Sequence, residues 1–309
     1  FLISLGGLAF NIGNIGGASM GLNIVFGIDT TTAAAISGIL GILLFASPKM
    51  GGVLDNTAKV LGTVMLVLIG YVAFSTNPPV AEAATHAIVP TNYPWLATIT
   101  LIGGTVGGYI TFSGGHRLID AGITGREHLK DVRRAAFMGM SVDAIVRILL
   151  FLAVLGVVSM GFALDPKDPA GSAFLLGAGE IGHKLFGIVF FCAALTSVVG
   201  AAYTSVSFLK TLFKVVERYE KLTIMAFIFV STCILIFIGK PATLLIVAGS
   251  VNGLILPVTL AVMLLATRKT NIVGDYKHNP VLFYTGWIVV LVTAYIGVTS
   301  LQGIAKLLG

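Results

Sequence analysis

The sequence predicts an all-α polytopic membrane protein, on three observations. Of its 309 residues, 56% are hydrophobic and only 10% are charged, where a soluble domain carries about 25% charge. Mean hydropathy is +0.99. The apolar residues gather into continuous runs near the ~20 residues that a bilayer-crossing helix needs, whereas a membrane barrel would show ~10-residue segments of strict alternation. A soluble enzyme, a disordered chain and a nucleic-acid module are excluded. The net charge of +6 and pI of about 9.3 then read as the Lys/Arg excess of cytoplasmic loops.

Nine runs follow in order, at about 2–28, 32–47, 58–75, 95–113, 136–163, 181–208, 222–239, 242–266 and 281–304, within a single transmembrane domain spanning 1–309. Polar stretches rich in Pro, Gly, Asn and Asp separate them, among them Thr76–Pro79, Asp165–Pro169 and Thr270–Pro280. The second run is short enough to be tilted. The fourth is interrupted by glycine pairs. The fifth carries Asp143 and Arg147 at i and i+4, the spacing of a neutralising pair near the inner interface. The eighth holds Asn252–Gly253 and Pro257, a candidate break or a plain kink. Cys192 and Cys233 lie inside apolar runs, so no disulfide framework is implied. The chain opens at Phe1 directly into an apolar run, with neither methionine nor a signal-peptide pattern, and we expect further segments upstream.

Orientation follows from the basic residues. Fourteen of the 19 Lys/Arg fall in one alternate set of loops, around Lys49–Lys59, Arg117–Arg134, Lys210–Lys221 and Arg268–Lys277. Four lie in the opposite set: Lys167, Lys184, Lys240 and Lys306. The basic set faces the cytoplasm. The loop Ser75–Pro94 has no Lys or Arg, as an outside loop should.

Chemistry-bearing residues concentrate in the fourth, first and eighth runs. Gly103, Gly104, Gly107 and Gly108 have the spacing of a small-residue packing face. Beyond them, Gly114–Gly115–His116 at membrane depth suggests a broken helix. Its unwound carbonyls at Thr111 to Gly114 would serve as hard oxygen ligands for a cation. His116 would carry a proton, bind or gate, or would simply sit at the interface. Asn11 and Asn14 place two amides on one helix face, lining a path or bonding neighbouring helices. His86, His128, His183 and His278 lie in or beside loops and are expected to be solvated. No Ser-His-Asp order, Walker motif, metalloprotease motif or dinucleotide fingerprint is present, so neither an enzyme nor a bound cofactor is expected.

The stretch Asn11–Ile28, through Gly16–Gly17–Ala18–Ser19–Met20–Gly21, resembles the third transmembrane helix of the NRAMP family of divalent-metal transporters. Ser113–Gly114–Gly115–His116 falls where that family has a Met-Pro-His motif on its broken sixth helix. The resemblance covers the whole chain as helices three to eleven, and implies a LeuT-like inverted-repeat fold. The family's first helix, with its Asp-Pro-Gly-Asn metal motif, would precede Phe1. Three departures stand out. Gly114 replaces the soft methionine thioether, Asn11 and Asn14 replace the proton-transferring acids, and Gly249 replaces a glutamine on helix ten. They resemble the NRAMP-related magnesium branch, because Mg²⁺ keeps several of its waters and prefers hard ligands.

The resemblance thus implies a secondary transporter of partly hydrated Mg²⁺, working by alternating access without proton coupling in a bacterial inner membrane. Its ion ligands would be Thr111, Gly114, Gly115 and His116, and its path or cavity residues Asn11, Asn14, Gly249 and Asn252. Its partners are the divalent ion and the lipid bilayer, with a monomer sufficient and no nucleic acid. Alternatives are a proton-coupled Mn²⁺/Fe²⁺ transporter of the ordinary family type, a carrier of a small amino-acid-like anion, and a non-transporting receptor-like bundle.

Overall fold

The computed structural model describes residues 2–108, 114–115, 118–119, 121–125 and 127–308. Its helices are α1 (Leu2–Phe26), α2 (Thr30–Ala46), α3 (Pro48–Ser75), α4 (Val80–Ile88), α5 (Trp95–Val106), α6 (Leu129–Ser159), α7 (Pro169–Lys210), α8 (Lys214–Arg218), α9 (Glu220–Ile238), α10 (Pro241–Ala266), α11 (Thr270–Val273) and α12 (Pro280–Leu308). In hydrocarbon every backbone N–H and C=O must find an internal partner, and helices satisfy that requirement segment by segment.

By length and composition, five described helices can cross a membrane alone, and up to seven spans result if two bent pairs each count as one. Nine runs were expected. The difference has two sources: α1 and α2 turn by 117° across residues 27–29, and α5 stops after 12 residues. Large apolar side chains point outward along these helices, with Phe237 88% and Phe74 83% exposed. In water such a surface would aggregate, whereas against lipid tails it is the ordinary exterior.

The chain forms two compact units. One comprises 15–93 and 121–199. Its core joins α3, α6 and α7 through Leu68, Ile69, Val72, Val157, Phe174 and Phe186, with the Phe174 and Phe186 rings stacked at 4.6 Å. Asp29 caps α2, its carboxylate accepting from the Thr31 and Thr32 amides at 2.9 and 3.0 Å. On α6, Arg147 Nε donates to Asp143 Oδ2 at 2.8 Å, the pair that the i, i+4 spacing implied.

Within this unit α7 bends at Gly179, whose φ of 67° and ψ of −170° suit glycine alone. The bend folds the Pro169–Ala178 arm back, so that Asp168 Oδ2 lies 3.9 Å from His183 Nε2, fifteen positions along the chain. His183 is therefore not solvated as expected, its side chain being only 20% exposed. Asp168 also accepts from the Gly171 amide at 2.9 Å. Burial pushes the Asp168 carboxyl above its ordinary range, against the opposing pull of that bond and of His183.

The other unit comprises 1–14, 94–120 and 200–309. Here α5, α10 and α12 pack on one another, and Trp95 meets Tyr295 edge to face at 5.4 Å. Lys210 Nζ donates to Glu220 Oε1 at 2.7 Å, fastening the end of α7 to the start of α9. The described candidate site residues, Asn11, Asn14, Gly114, Gly115, Gly249 and Asn252, belong to this unit.

Candidate functional site

The site region is built on a glycine seam between α5 and α10. A Cβ on Gly103 would collide with the Gly249 carbonyl and the Gly253 amide. One on Gly253 would stand 2.5 Å from the Ile99 carbonyl oxygen, and one on Gly249 2.8 Å from that of Thr100. Small residues at i and i+4 on both helices bring the two backbones into contact. Across the seam the hydroxyls of Thr100 and Ser250 are 2.8 Å apart. Gly103, Gly107 and Gly108 thus form the packing face read from their spacing, while Gly104 faces open space. Gly249 lies in the seam, its α-carbon turned to the Thr100 backbone rather than to a void.

The seam also decides where α5 ends. The helix stops at Val106, and Gly107 turns extended with φ −53° and ψ 162°. The helix is thus interrupted at Gly107, upstream of the expected break. Thr111 and His116 lie outside the described residues. Gly114 and Gly115 are described, helical and exposed, and a Cβ at either would meet nothing within 4 Å among the described residues. The break considered at Asn252–Gly253 and Pro257 is absent, since α10 runs continuously from Pro241 to Ala266. Seam packing against Ile99 holds Gly253 in helix.

Three carboxamides sit where α1 meets this frame. Asn252 is fully buried; its Nδ2 donates to the Gly6 and Ala248 carbonyls, each at 3.1 Å. Asn11 is fully buried too, and its Nδ2 donates to Ser231 Oγ on α9 at 3.1 Å. Oδ1 of both residues, and Nδ2 of Asn14, have no partner among the described residues. A Cβ on Gly13 would meet that of Ala248 at 3.2 Å, so contacts rise along α1 as they fall along α10, and the helices run antiparallel. Gly6 and Asn11 are five residues apart, so the Asn252 and Asn11 levels differ by ~7.5 Å along α1.

An unmet polar atom in a protein interior costs about 1–3 kcal/mol. Two such amide oxygens within one small region make it the candidate place for binding a polar or charged species. Chemically they are hard, uncharged acceptors, suited to a cation that retains part of its water and unable to carry a proton. Among the described residues no group of three or more His, Cys, Asp or Glu gathers in a metal-binding arrangement. The amide pattern on α1 was visible in the sequence. The role of Ser231, a lone serine in an apolar run, was not.

Comparison with known proteins agrees with this architecture. Residues 1–302 match the family model described as natural resistance-associated macrophage protein-like, Nramp. An uncharacterized membrane protein of Haemophilus influenzae is 51% identical over 293 residues, covering 95% of this chain and 74% of that one. The uncharacterized membrane protein YcsG of Bacillus subtilis is 50% identical over 300 residues, covering 97% and 74%. Among solved structures, a manganese transporter of Eremococcus coleocola bound to an aromatic bis-isothiourea compound superposes with a TM-score of 0.67 at 16% identity, covering 99% of this chain and 70% of that one. A variant of the same transporter gives 0.68 at the same identity. At that identity the likeness concerns the fold, which is LeuT-like.

Proposed function

This chain belongs to the Nramp family of multi-pass membrane metal transporters, and from that premise we propose that it carries Mg²⁺, partly hydrated, by alternating access and without obligatory proton coupling. The observation that carries the reading is the pair of fully buried carboxamides, Asn11 and Asn252, each with an amide oxygen that has no partner among the described residues. A neutral oxygen can replace one water of a hydrated divalent ion. A carboxylate in the same place would hold the ion more strongly and would titrate. Gly114 adds no soft ligand, which favours a hard, more strongly hydrated ion over Mn²⁺ or Fe²⁺. In this reading Thr111, Gly114, Gly115 and His116 contribute to the ion site, Gly249 keeps α5 close to α10, and Asn14 lines the path.

The inside-negative potential is sufficient as the driving force. A divalent ion gains about 4.6 kcal/mol per 100 mV, roughly a thousandfold accumulation. No enzymatic step and no resident cofactor enter the scheme.

Manganese is the second reading, favoured by the fold shared with the Eremococcus coleocola manganese transporter. Competition flux separates the two. With the protein in proteoliposomes, Mg²⁺ uptake persisting in the presence of equimolar Mn²⁺ supports the magnesium reading. Uptake of Mn²⁺ alone assigns manganese.

A further inference from the structure

A cavity of about 370 Å³ lies at the junction of α10 and α12, in the segment from Thr267 to Tyr284. That volume is within the usual range for small-ligand pockets, about 300–1,000 Å³. Its lining carries two cations, Arg268 and Lys277, and the imidazole of His278, beside the hydroxyls of Thr267, Thr270, Tyr276 and Tyr284. The Arg268 guanidinium stands 4.2 Å from the centroid of the Phe283 ring, which fixes its position. His278 Nδ1 lies 3.4 Å from the Tyr276 hydroxyl, while Nε2 is buried and has no partner among the described residues. The only acid in this stretch, Asp275, is not part of the lining.

The wall is continuous with a bilayer-facing surface. Pro280, Phe283 and Tyr284 line the cavity, and Val281, Leu282 and Ile288 on α12 are 58–68% exposed. Arg268, Lys269 and Lys277 belong to the basic loop set, which places the cavity at the cytoplasmic membrane edge. We propose that this cavity binds a phosphate group. Arg268 would supply a fork of donors, Lys277 a point charge, and His278 Nε2 a hydrogen bond. Two sources share that chemistry, the phosphodiester of an anionic phospholipid and a free phosphate from the cytoplasm. The adjoining apolar wall suits the acyl chains of the first. Occupancy would tie the end of α10 to the start of α12, independently of which ion is carried.

Native mass spectrometry of the purified protein tests this with phosphatidylglycerol, phosphatidylcholine and inorganic phosphate as probes. Phosphatidylglycerol is expected to be retained about tenfold better than phosphatidylcholine. Lys277→Gln, at an exposed position where folding is not at risk, is expected to lower that preference about fivefold. Arg268→Gln should lower it further, with elution on size exclusion checking its fold. If lipids show no preference but inorganic phosphate binds and raises the melting temperature, and Lys277→Gln abolishes both effects, the site is a phosphate site fed from solution. Equal retention of the two lipids with no effect of phosphate overturns the proposal. So does a preference unchanged in both variants.

Discussion

Asn252 donates to the Gly6 carbonyl at 3.1 Å and so ties α10 to α1, yet its own amide oxygen is buried without a partner among the described residues. The same division recurs at Asn11, whose Nδ2 donates to Ser231 while Oδ1 has no partner among the described residues. Each side chain is anchored by its donor while its acceptor is kept available. In the proposed reading, that acceptor is what the passing hard cation meets.

Asn11→Leu removes an unmet acceptor together with one donor. Ser231 Oγ still donates to the Phe227 carbonyl at 2.8 Å. Thermal stability in detergent is expected to change by less than about 1 kcal/mol. Ion uptake should fall roughly tenfold or more, the loss expected for one polar contact to a charge. A variant that is less stable but equally active would make Asn11 a packing residue.

Gly103→Ala puts a methyl group into the Gly249 carbonyl and the Gly253 amide. Overpacking of this kind is expected to cost about 3 kcal/mol. Gly104→Ala meets nothing within 4 Å and should gain about 0.5–1 kcal/mol by helix propensity. Melting of the two variants side by side checks the seam, because they differ by one position.

The fold and parts of the site were legible at different depths. Continuous apolar runs and the Asp143–Arg147 spacing are local patterns, and they carry directly into helices and an ion pair. The Gly103 and Gly107 face was legible for the same reason. Gly249 was expected among the path or cavity residues; its contact with the Thr100 backbone was not legible, because that backbone comes from a helix more than a hundred residues away. The end of α5 at Val106 was hidden within a hydrophobic stretch that continues past it. His183 and His278 were both expected in water. The Gly179 bend brings Asp168 to the first, and the α10–α12 loop buries one ring nitrogen of the second.

Asp168 provides a pH test. Its carboxyl is raised above the ordinary 3.8, chiefly by burial. The stability it contributes is fully present below its unfolded value and is lost as pH rises through the folded one. Asp168→Asn retains an acceptor for the Gly171 amide and removes the titration. Melting curves from pH 3 upward, scanned through this window, should show a decline in the parent that the variant lacks. Parallel curves would place the raised carboxyl elsewhere.

A Cβ at Gly114 meets nothing within 4 Å among the described residues, so Gly114→Met starts from open space. Restoring a thioether there is expected to raise Mn²⁺ uptake relative to Mg²⁺ about tenfold, one soft-ligand contact in free-energy terms. Competition uptake with the two ions reads this ratio. An unchanged ratio would remove Gly114 from the selectivity account.

The most direct measurement follows ion and proton together. The protein is reconstituted in proteoliposomes at a fixed inside-negative potential, with one dye reporting internal Mg²⁺ and another internal pH. We expect Mg²⁺ to enter without acidification, driven by the potential alone. Uptake of Mn²⁺ only, accompanied by acidification, would contradict the reading of Asn11, Asn14 and Gly114 as a hydrated, proton-uncoupled magnesium path.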